Sequence, residues 1–335
     1  LIQFHDALRL RYQPVPSSPE LSQQHYHTDI ADNILKVLDV RTIPAPLGSQ
    51  DFEEKLQAIL TAYQSSFNIY NGPLYSIAYL HGYEDGSSRI FFAFHHLIID
   101  AVSWRILRDD LQQIYLSLTT DSSHTASKGT SYRQWAAAIQ SYPQKNPAES
   151  TYWNNVIAGI DKANGTFNTI FQPTTTTASA SVVLDKNTTK KLLTDSPAAY
   201  HTEINDLLLT AFAIAYNKIT AGDTCYITLE GHGREEIDPS IDINNTVGWF
   251  TTMFPLRLTT THKGIGENIK HIKEELRAIP NKGMGYGPII GYDLQALPQI
   301  TFNYLGQFDL DENNNQQWTI TNEASGLTTA VQNKA

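Results

Sequence analysis

The stretch RIFFAFHHLIIDAVSW, residues 89–104, contains the change of pattern on which the fold depends. The short apolar run from Arg89 to Phe94 is typical of a strand. From Ala101 onward, apolar side chains recur at intervals of three and four residues, which predicts an amphipathic helix. Two histidines and an aspartate lie between these elements, at a strand-to-helix corner. Such irregular backbone can direct side chains into a cavity instead of a core.

His96 is the candidate for chemistry in this corner, because histidine exchanges protons near physiological pH. Asp100 stands at the N-terminal edge of the helix. It is predicted to cap the helix or to orient the loop through a buried ion pair with Arg105 or Arg234. From spacing alone, His95, His96 and Asp100 could equally serve only to end a strand. A zinc site is disfavoured, since adjacent histidines rarely bind one metal and no partner cluster lies nearby in the sequence.

Length and charge limit the classes of function. The 335 residues suffice for two hydrophobic cores, because single cores rarely grow beyond about 250–300 residues. The net charge of −10 argues against nucleic-acid binding, which needs a clustered basic surface. No apolar run approaches the roughly 20 residues of a membrane span, and Leu1 to Tyr12 lacks a signal peptide's apolar core. We therefore expect a cytoplasmic protein, and the absence of an initiator methionine suggests a fragment or an excised domain.

The single cysteine, Cys225, excludes an intramolecular disulfide and a cysteine-rich metal site. It lies in the predicted strand at residues 224–230, and a buried structural thiol is favoured over a nucleophile.

Periodicity predicts alternating strands and helices along the whole chain. The predicted strands are at residues 33–41, 74–80, 89–94, 180–184, 224–230, 249–258 and 300–305. The predicted helices are the end of one at 1–11 and others at 51–67, 101–118, 132–140, 202–218 and 265–279. Thr202 is the expected N-cap of its helix. The turn-forming residues 84–87 join two of the strands into a hairpin.

A polar segment divides the pattern into two parts. Residues 173–181 are almost entirely threonine, serine and alanine after Pro173, so they cannot build a core and are typical of a linker. The sequence therefore predicts an N-terminal lobe at residues 1–172, a linker at 173–181 and a C-terminal lobe at 182–335. Both lobes are α/β with mixed sheets.

Six motifs in order resemble the condensation superfamily of nonribosomal peptide synthetases, and its epimerization branch in particular. They are Phe4–Arg9 (FHDALR), His95–Trp104 (HHLIIDAVSW), Glu230–Glu235 (EGHGRE), Val247–Pro255 (VGWFTTMFP), Pro280–Gly287 (PNKGMGYG) and Phe302–Asp309 (FNYLGQFD). One motif alone would be weak support, but the ordered set covers nearly the whole chain.

The resemblance implies two chloramphenicol-acetyltransferase-like lobes that form a V, with the active site in a tunnel between them. It implies an isomerase that inverts an aminoacyl or peptidyl thioester from L to D by removing and returning the Cα proton. The substrate would arrive on the 4′-phosphopantetheine arm of a peptidyl carrier domain, encoded upstream, and a condensation domain or module would follow downstream. No permanently bound cofactor, nucleic acid or membrane is expected.

The resemblance also assigns roles to residues. His96, Glu230 and Tyr304 are predicted to be catalytic. The predicted supporting residues are His95, Asp100, Asn303, Ser103, Trp104 and Arg234. His232 is expected to be structural or solvated. Trp249 and Phe250 are expected in the core, and Gly283, Gly285 and Gly287 in a loop with no helix after it.

Two departures from the family pattern leave alternatives open. Ala101 stands where glycine is usual, and its methyl would strain the turn if that position needed a positive φ. Phe4 replaces a second histidine. The resemblance also implies a fragment that is incomplete at both termini, because the family's first strand before Leu1 and its tail after Ala335 are missing. A condensation domain shares the histidine motif but joins two carrier-bound groups. An acyltransferase of the chloramphenicol acetyltransferase type shares it as well, and a degenerate module would only dock a carrier domain.

Overall fold

The computed structural model describes residues 1–15, 18–26, 35–120, 128–171, 178–306, 318–321, 323 and 325–327. The described strands are β1 (Leu10–Val15), β2 (Ser18–Tyr26), β3 (Leu35–Asp39), β4 (Tyr75–His81), β5 (Arg89–Phe94), β6 (Thr224–Gly231), β7 (Thr252–Thr259) and β8 (Thr301–Phe302). The described helices are α1 (Gln50–Gln64), α2 (Ala101–Thr120), α3 (Tyr132–Lys145), α4 (Glu149–Ile157), α5 (Ile160–Ile170), α6 (Lys186–Leu193), α7 (Asp195–Tyr200), α8 (Ile204–Thr220), α9 (Ile265–Arg277) and α10 (Tyr286–Ile290).

The chain forms two compact units, each assembled from separate segments. Unit 1 comprises Leu1–Arg133, Asp242–Trp249 and Gln307–Ala335, and unit 2 comprises Gln134–Ile241 and Phe250–Gly306. These units differ from the predicted single division at residues 173–181. Residues 173–177 of the predicted linker lie outside the described residues, and 178–181 are irregular and exposed. Composition marks a segment that cannot build a core, but it does not tell which core a later segment joins.

Unit 1 contains a mixed sheet in the order β3-β4-β5, with β3 parallel to β4 and β4 antiparallel to β5. The hairpin predicted from the turn residues is therefore confirmed. Ser49 caps α1 by accepting from the Phe52 backbone N–H at 3.1 Å. The buried face of α1 packs Phe52 and Leu56 against Leu80 of the sheet. A second cluster buries Ile98 and Leu107 together with Val247.

Unit 2 contains the sheet β7-β6-β8, in which β6 pairs antiparallel with β7 and parallel with β8. The central strand β6 buries Cys225 and Ile227 in a core that also includes Trp153, Leu258 and Ile272. Burial raises the pKa of the Cys225 thiol to about 12. This finding confirms a structural thiol, because the thiolate form needed for nucleophilic attack is suppressed.

The prediction of a helix end at residues 1–11 is wrong. A short 3₁₀ turn covers Asp6–Arg9, and the chain then enters β1, which pairs antiparallel with β2. Leu10 and Tyr12 alternate with exposed or half-buried residues, and this period-2 burial matches a strand. The apolar residues before Leu10 were too few to distinguish a helical period from this turn.

Other differences lie between residues 132 and 206. The predicted strand at 180–184 is irregular, and Val182 and Val183 are 89% and 92% exposed. Helices α4, α5, α6 and α7 were not predicted, and α3 continues to Lys145 with Pro143 inside it. Glu203, not Thr202, is the N-cap of α8, through a reciprocal capping box with Asp206.

Candidate active site

The corner between β5 and α2 is a single 3₁₀ turn, His96–Ile98. Ile98 and Ile99 anchor it, at 0% and 4% exposure. The Leu97 backbone N–H donates to Nδ1 of His95 at 3.2 Å, and burial, with the neighbouring His96, lowers the pKa of the half-buried His95. His96 is exposed. The turn thus uses His95 as a hydrogen-bond acceptor and leaves His96 exposed.

Asp100 caps the helix that follows. It is buried, and its Oδ1 accepts from the backbone N–H of Ser103 at 2.7 Å. The capping role is therefore confirmed, while an ion pair with Arg105 or Arg234 stays a prediction. Ala101 opens α2 and is not among the non-glycine residues with positive φ, so its methyl group imposes no such strain.

Ser103 is fully buried and joins two motifs that are 145 residues apart in the chain. Its hydroxyl donates to the carbonyl of Gly248 at 3.0 Å and accepts from the N–H of the same residue at 3.1 Å. The neighbouring Trp104 is 41% exposed and packs edge-to-face on Phe94, with ring centroids 5.0 Å apart. Of this pair, Ser103 is the residue that fixes backbone geometry.

Trp249 packs against the candidate catalytic histidine. The two rings meet edge-to-face, with centroids 4.7 Å apart and an interplanar angle of 62°. Trp249 is 39% exposed, so its predicted place in the core is wrong, whereas Phe250 is 0% exposed, as predicted. The Tyr132 hydroxyl donates to the Trp249 carbonyl at 3.0 Å. Sequence reasoning missed Tyr132, which lies outside every motif.

Glu230 is the penultimate residue of β6 and is half-buried. The parallel register pairs Leu229 with Phe302, so Asn303 lies beside Glu230 just beyond β8. Nδ2 of Asn303 donates to Oε2 of Glu230 at 2.6 Å. The structure therefore brings two predicted site residues into contact, although 73 positions separate them in the chain. Tyr304 follows, half-buried.

The turn after Glu230 depends on a glycine. Gly233 has φ +67°, and a Cβ there would overlap the backbone carbonyl of Phe250. The Arg234 guanidinium lies over the Phe250 ring, 4.2 Å from its centroid. Arg234 therefore packs on Phe250, the residue against which the turn after Glu230 lies.

His232 has a polar neighbour at each ring nitrogen. Nδ1 accepts from the Arg234 backbone N–H at 3.0 Å, and Nε2 lies 3.1 Å from a carboxylate oxygen of Glu235. The Lys282 ammonium lies 3.3 Å from the other oxygen of Glu235. His232 is thus structural, as expected, and Glu235 and Lys282 are contacts that the sequence did not predict.

The glycine-rich segment was predicted to be a loop with no helix after it, and this prediction is wrong. The segment forms a 3₁₀ turn at Pro280–Gly283 and is followed by α10. Asn281 donates to the Glu149 carboxylate at 2.7 Å and to the Tyr142 hydroxyl at 2.6 Å. Met284 and Tyr286 are buried. A buried carboxylate on α4 thus fixes this segment, which periodicity could not reveal.

Within the described ranges, no group of three or more histidine, cysteine, aspartate or glutamate side chains could hold a metal ion. The described helices also include none that is long and apolar enough to cross a bilayer.

Comparison with known proteins places these motifs in a family. A family model described as the condensation domain matches residues 1–333. The chain is 35% identical over 342 residues to N-(5-amino-5-carboxypentanoyl)-L-cysteinyl-D-valine synthase of Penicillium rubens, in an alignment that covers 100% of this chain and 8% of the synthase. It is 34% identical to bacitracin synthase 1 of Bacillus licheniformis, over 93% of this chain and 6% of that synthase. The chain therefore spans less than a tenth of these curated relatives.

Solved structures support the same fold. The epimerization domain from the third module of tyrocidine synthetase B matches with a TM-score of 0.69 and 30% identity, over 92% of this chain and 72% of that domain. The first condensation domain of the calcium-dependent antibiotic synthetase matches at 0.61 with 14% identity, which shows the fold alone. The mixed α/β fold predicted from the resemblance is confirmed.

Proposed function

The chain belongs to the condensation-domain family of nonribosomal peptide synthetases, and within that family we propose that it epimerizes an aminoacyl or peptidyl thioester from L to D. The observation that carries the proposal is the 2.6 Å hydrogen bond from Asn303 to Glu230. This bond joins two motifs whose resemblance is to the epimerization branch. It holds a carboxylate at a strand end, where a reacting group can approach.

Epimerization removes the Cα proton of the thioester and returns a proton to the opposite face. We assign one acid/base role to Glu230. Its Oε2 is held by Asn303, and Oε1 has no hydrogen-bond partner among the described residues, so this oxygen can take and return a proton. A fixed carboxylate is a better acid/base than a mobile one, because it needs no reorientation during the transfer.

His96 takes the second role, as the other acid/base or as the donor to the enolate oxygen. It is the exposed histidine of the pair, since His95 is half-buried and already accepts from Leu97. The enolate formed on deprotonation carries charge on the thioester oxygen, and a hydrogen-bond donor there lowers the barrier. Two groups acting on opposite faces of this planar intermediate would invert the centre.

The remaining predicted residues have supporting roles in this proposal. Tyr304 follows Asn303 and assists proton delivery or positions the thioester. Arg234 packs on Phe250 and supports the turn after Glu230. Asp100 caps α2 and keeps the His95–His96 turn in place.

A peptidyl carrier domain supplies the substrate in this account, on its 4′-phosphopantetheine arm. The name of the Penicillium rubens relative states a D-valine, and the tyrocidine synthetase B domain is named for epimerization. Both names support an L-to-D function here. We expect a carrier domain upstream and a condensation domain or module downstream.

The second candidate is a condensation domain, favoured by the fold it shares with the calcium-dependent antibiotic synthetase domain. Chiral analysis of the released aminoacyl group, with and without an amine acceptor, separates the two. An epimerase produces D-aminoacyl carrier without any acceptor. Retention of the L form together with peptide formation when the acceptor is added would contradict the proposal.

A further inference from the structure

A closed set of contacts within unit 1 begins and ends at the histidine turn. Asp100 accepts from the Ser103 backbone N–H at 2.7 Å, and the Ser103 hydroxyl holds Gly248 through two hydrogen bonds. The next residue, Trp249, packs its ring on His96 at 4.7 Å. His96 precedes Asp100 by one short turn. The loop of contacts therefore returns to its origin.

The Ser103 contact requires a small side chain that can both donate and accept a hydrogen bond. One hydroxyl both donates to and accepts from the same backbone residue, Gly248, at 0% exposure. Alanine would leave the Gly248 N–H and carbonyl without these buried partners. Neither polar group could recover a partner without a shift of the backbone that leads to Trp249.

Trp249 is fixed on more than one side. Val247, two residues earlier, is 3% exposed in the unit 1 core, and Tyr132 donates to the Trp249 carbonyl at 3.0 Å. The indole therefore has a defined position next to His96. An edge-to-face pair at this separation is attractive, and an indole also attracts a protonated imidazole.

We propose that Trp249 and Ser103 are positioning residues that hold the His96 imidazole in one orientation, with Trp249 acting directly and Ser103 acting through Gly248. This inference rests on the proposed function for its catalytic consequence but not for its geometry. An exposed histidine can rotate about both side-chain bonds, and a rigid neighbouring ring restricts that motion. The restriction places the imidazole for proton transfer or donation without contributing a reacting atom.

The geometry is tested by tryptophan fluorescence, without any substrate. His96→Gln removes the ring that contacts the Trp249 indole, so it should change the emission intensity at a fixed pH. We expect the same substitution to change the emission little in a Trp249→Phe background, and less than in the wild type in a Ser103→Ala background. A Trp318→Phe background is the matched control, since Trp318 packs on Tyr115, and there the change should be as large as in the wild type. No change in the wild type, or an equal change in the Trp249→Phe background, would overturn the inference.

The catalytic consequence is tested by Cα hydrogen exchange on a loaded carrier domain. We expect Trp249→Leu and Ser103→Ala to lower kcat about tenfold or more with KM changed less than about twofold, and Trp249→Phe to retain most activity. Rescue by phenylalanine would indicate ring packing as the cause. A fall in kcat/KM that comes only from KM would overturn the positioning role. If the wild type shows no exchange while the fluorescence pattern holds, the proposed function fails and the geometric inference stands.

Discussion

The two candidate catalytic residues, His96 in unit 1 and Glu230 in unit 2, are held by different kinds of contact. In unit 1, the turn that carries His96 is fixed by a buried cap at Asp100 and by the buried hydroxyl of Ser103. In unit 2, Glu230 lies at a strand end and depends on sheet register and on the exposed amide of Asn303.

This difference predicts how substitutions near each of the two residues affect stability and rate. Buried hydrogen bonds are expensive to remove, because the groups left behind lose both the protein and water as partners. Exposed ones can be replaced by water at a smaller cost. We therefore expect changes at the buried Asp100 and Ser103 to act through structure as well as chemistry, and changes at Glu230 and Asn303 to act mainly on the reaction.

His96→Gln should have the largest effect of the variants that follow. The side chain is exposed, so the midpoint of thermal unfolding should hardly change, whereas Cα exchange should fall at least about 100-fold through loss of acid/base or oxyanion chemistry. Exchange rates and thermal melts on the same preparation test this expectation. His262→Gln, at another exposed histidine, is the control and should retain full exchange.

Gly233→Ala tests the turn that follows Glu230. The added Cβ would overlap the Phe250 carbonyl at a positive φ, which should destabilise unit 2 by about 2 kcal/mol. Amide hydrogen exchange should increase in β6 and β7, while β4 and β5 in unit 1 stay protected. Equal loss of protection in β4 and β5 would show that the effect is not confined to unit 2.

Asn303→Ala removes the hydrogen bond to Glu230. A bond to a carboxylate in an exposed position should contribute about tenfold to the rate. We expect this loss in kcat with little change in stability, and Asn187→Ala, at an exposed residue of the same unit, should behave like the wild type. A rate equal to that of the wild type would remove Asn303 from the site.

His95 should produce the smallest effect, as a pH dependence of stability. Burial lowers its pKa in the folded chain, so the unfolded chain takes up a proton first as the pH falls. Stability should therefore be constant above the ordinary histidine value of about 6.5 and should decline just below it. For His95→Gln, the free energy of unfolding should change less between about pH 7 and pH 5 than for the wild type, as measured by denaturation at each pH. A decline identical to that of the wild type would contradict this assignment.

The local sequence pattern predicted most of the strands and helices that carry the candidate residues, but few of the tertiary contacts between them. The hairpin before His95, the start of α2 and the strand β6 followed from periodicity and turn residues. The bond between Ser103 and Gly248 did not, because it spans 145 positions and depends on which core the Asp242–Trp249 segment joins. For the same reason, Trp249 was predicted in the core, although its ring packs on His96.

Unit 2 shows the same limit at Glu230. The sequence predicted its strand, and the resemblance assigned it chemistry, but the Asn303 contact required the parallel register of β6 and β8. The short helices α4–α7 were missed because each has only 6 to 11 residues, too few for a three- to four-residue period to repeat many times. Tyr132 and Glu149 had no signal outside their tertiary contacts.

The central claim is that Glu230 exchanges the Cα proton of a carrier-bound thioester. The most direct measurement is incorporation of solvent deuterium at that carbon, for the wild type and for Glu230→Gln, with the same loaded carrier domain. Glutamine keeps the size and polarity of the side chain but cannot take the proton. We predict exchange by the wild type and a fall of at least about 100-fold in the variant. Exchange by Glu230→Gln at the wild-type rate would contradict the account.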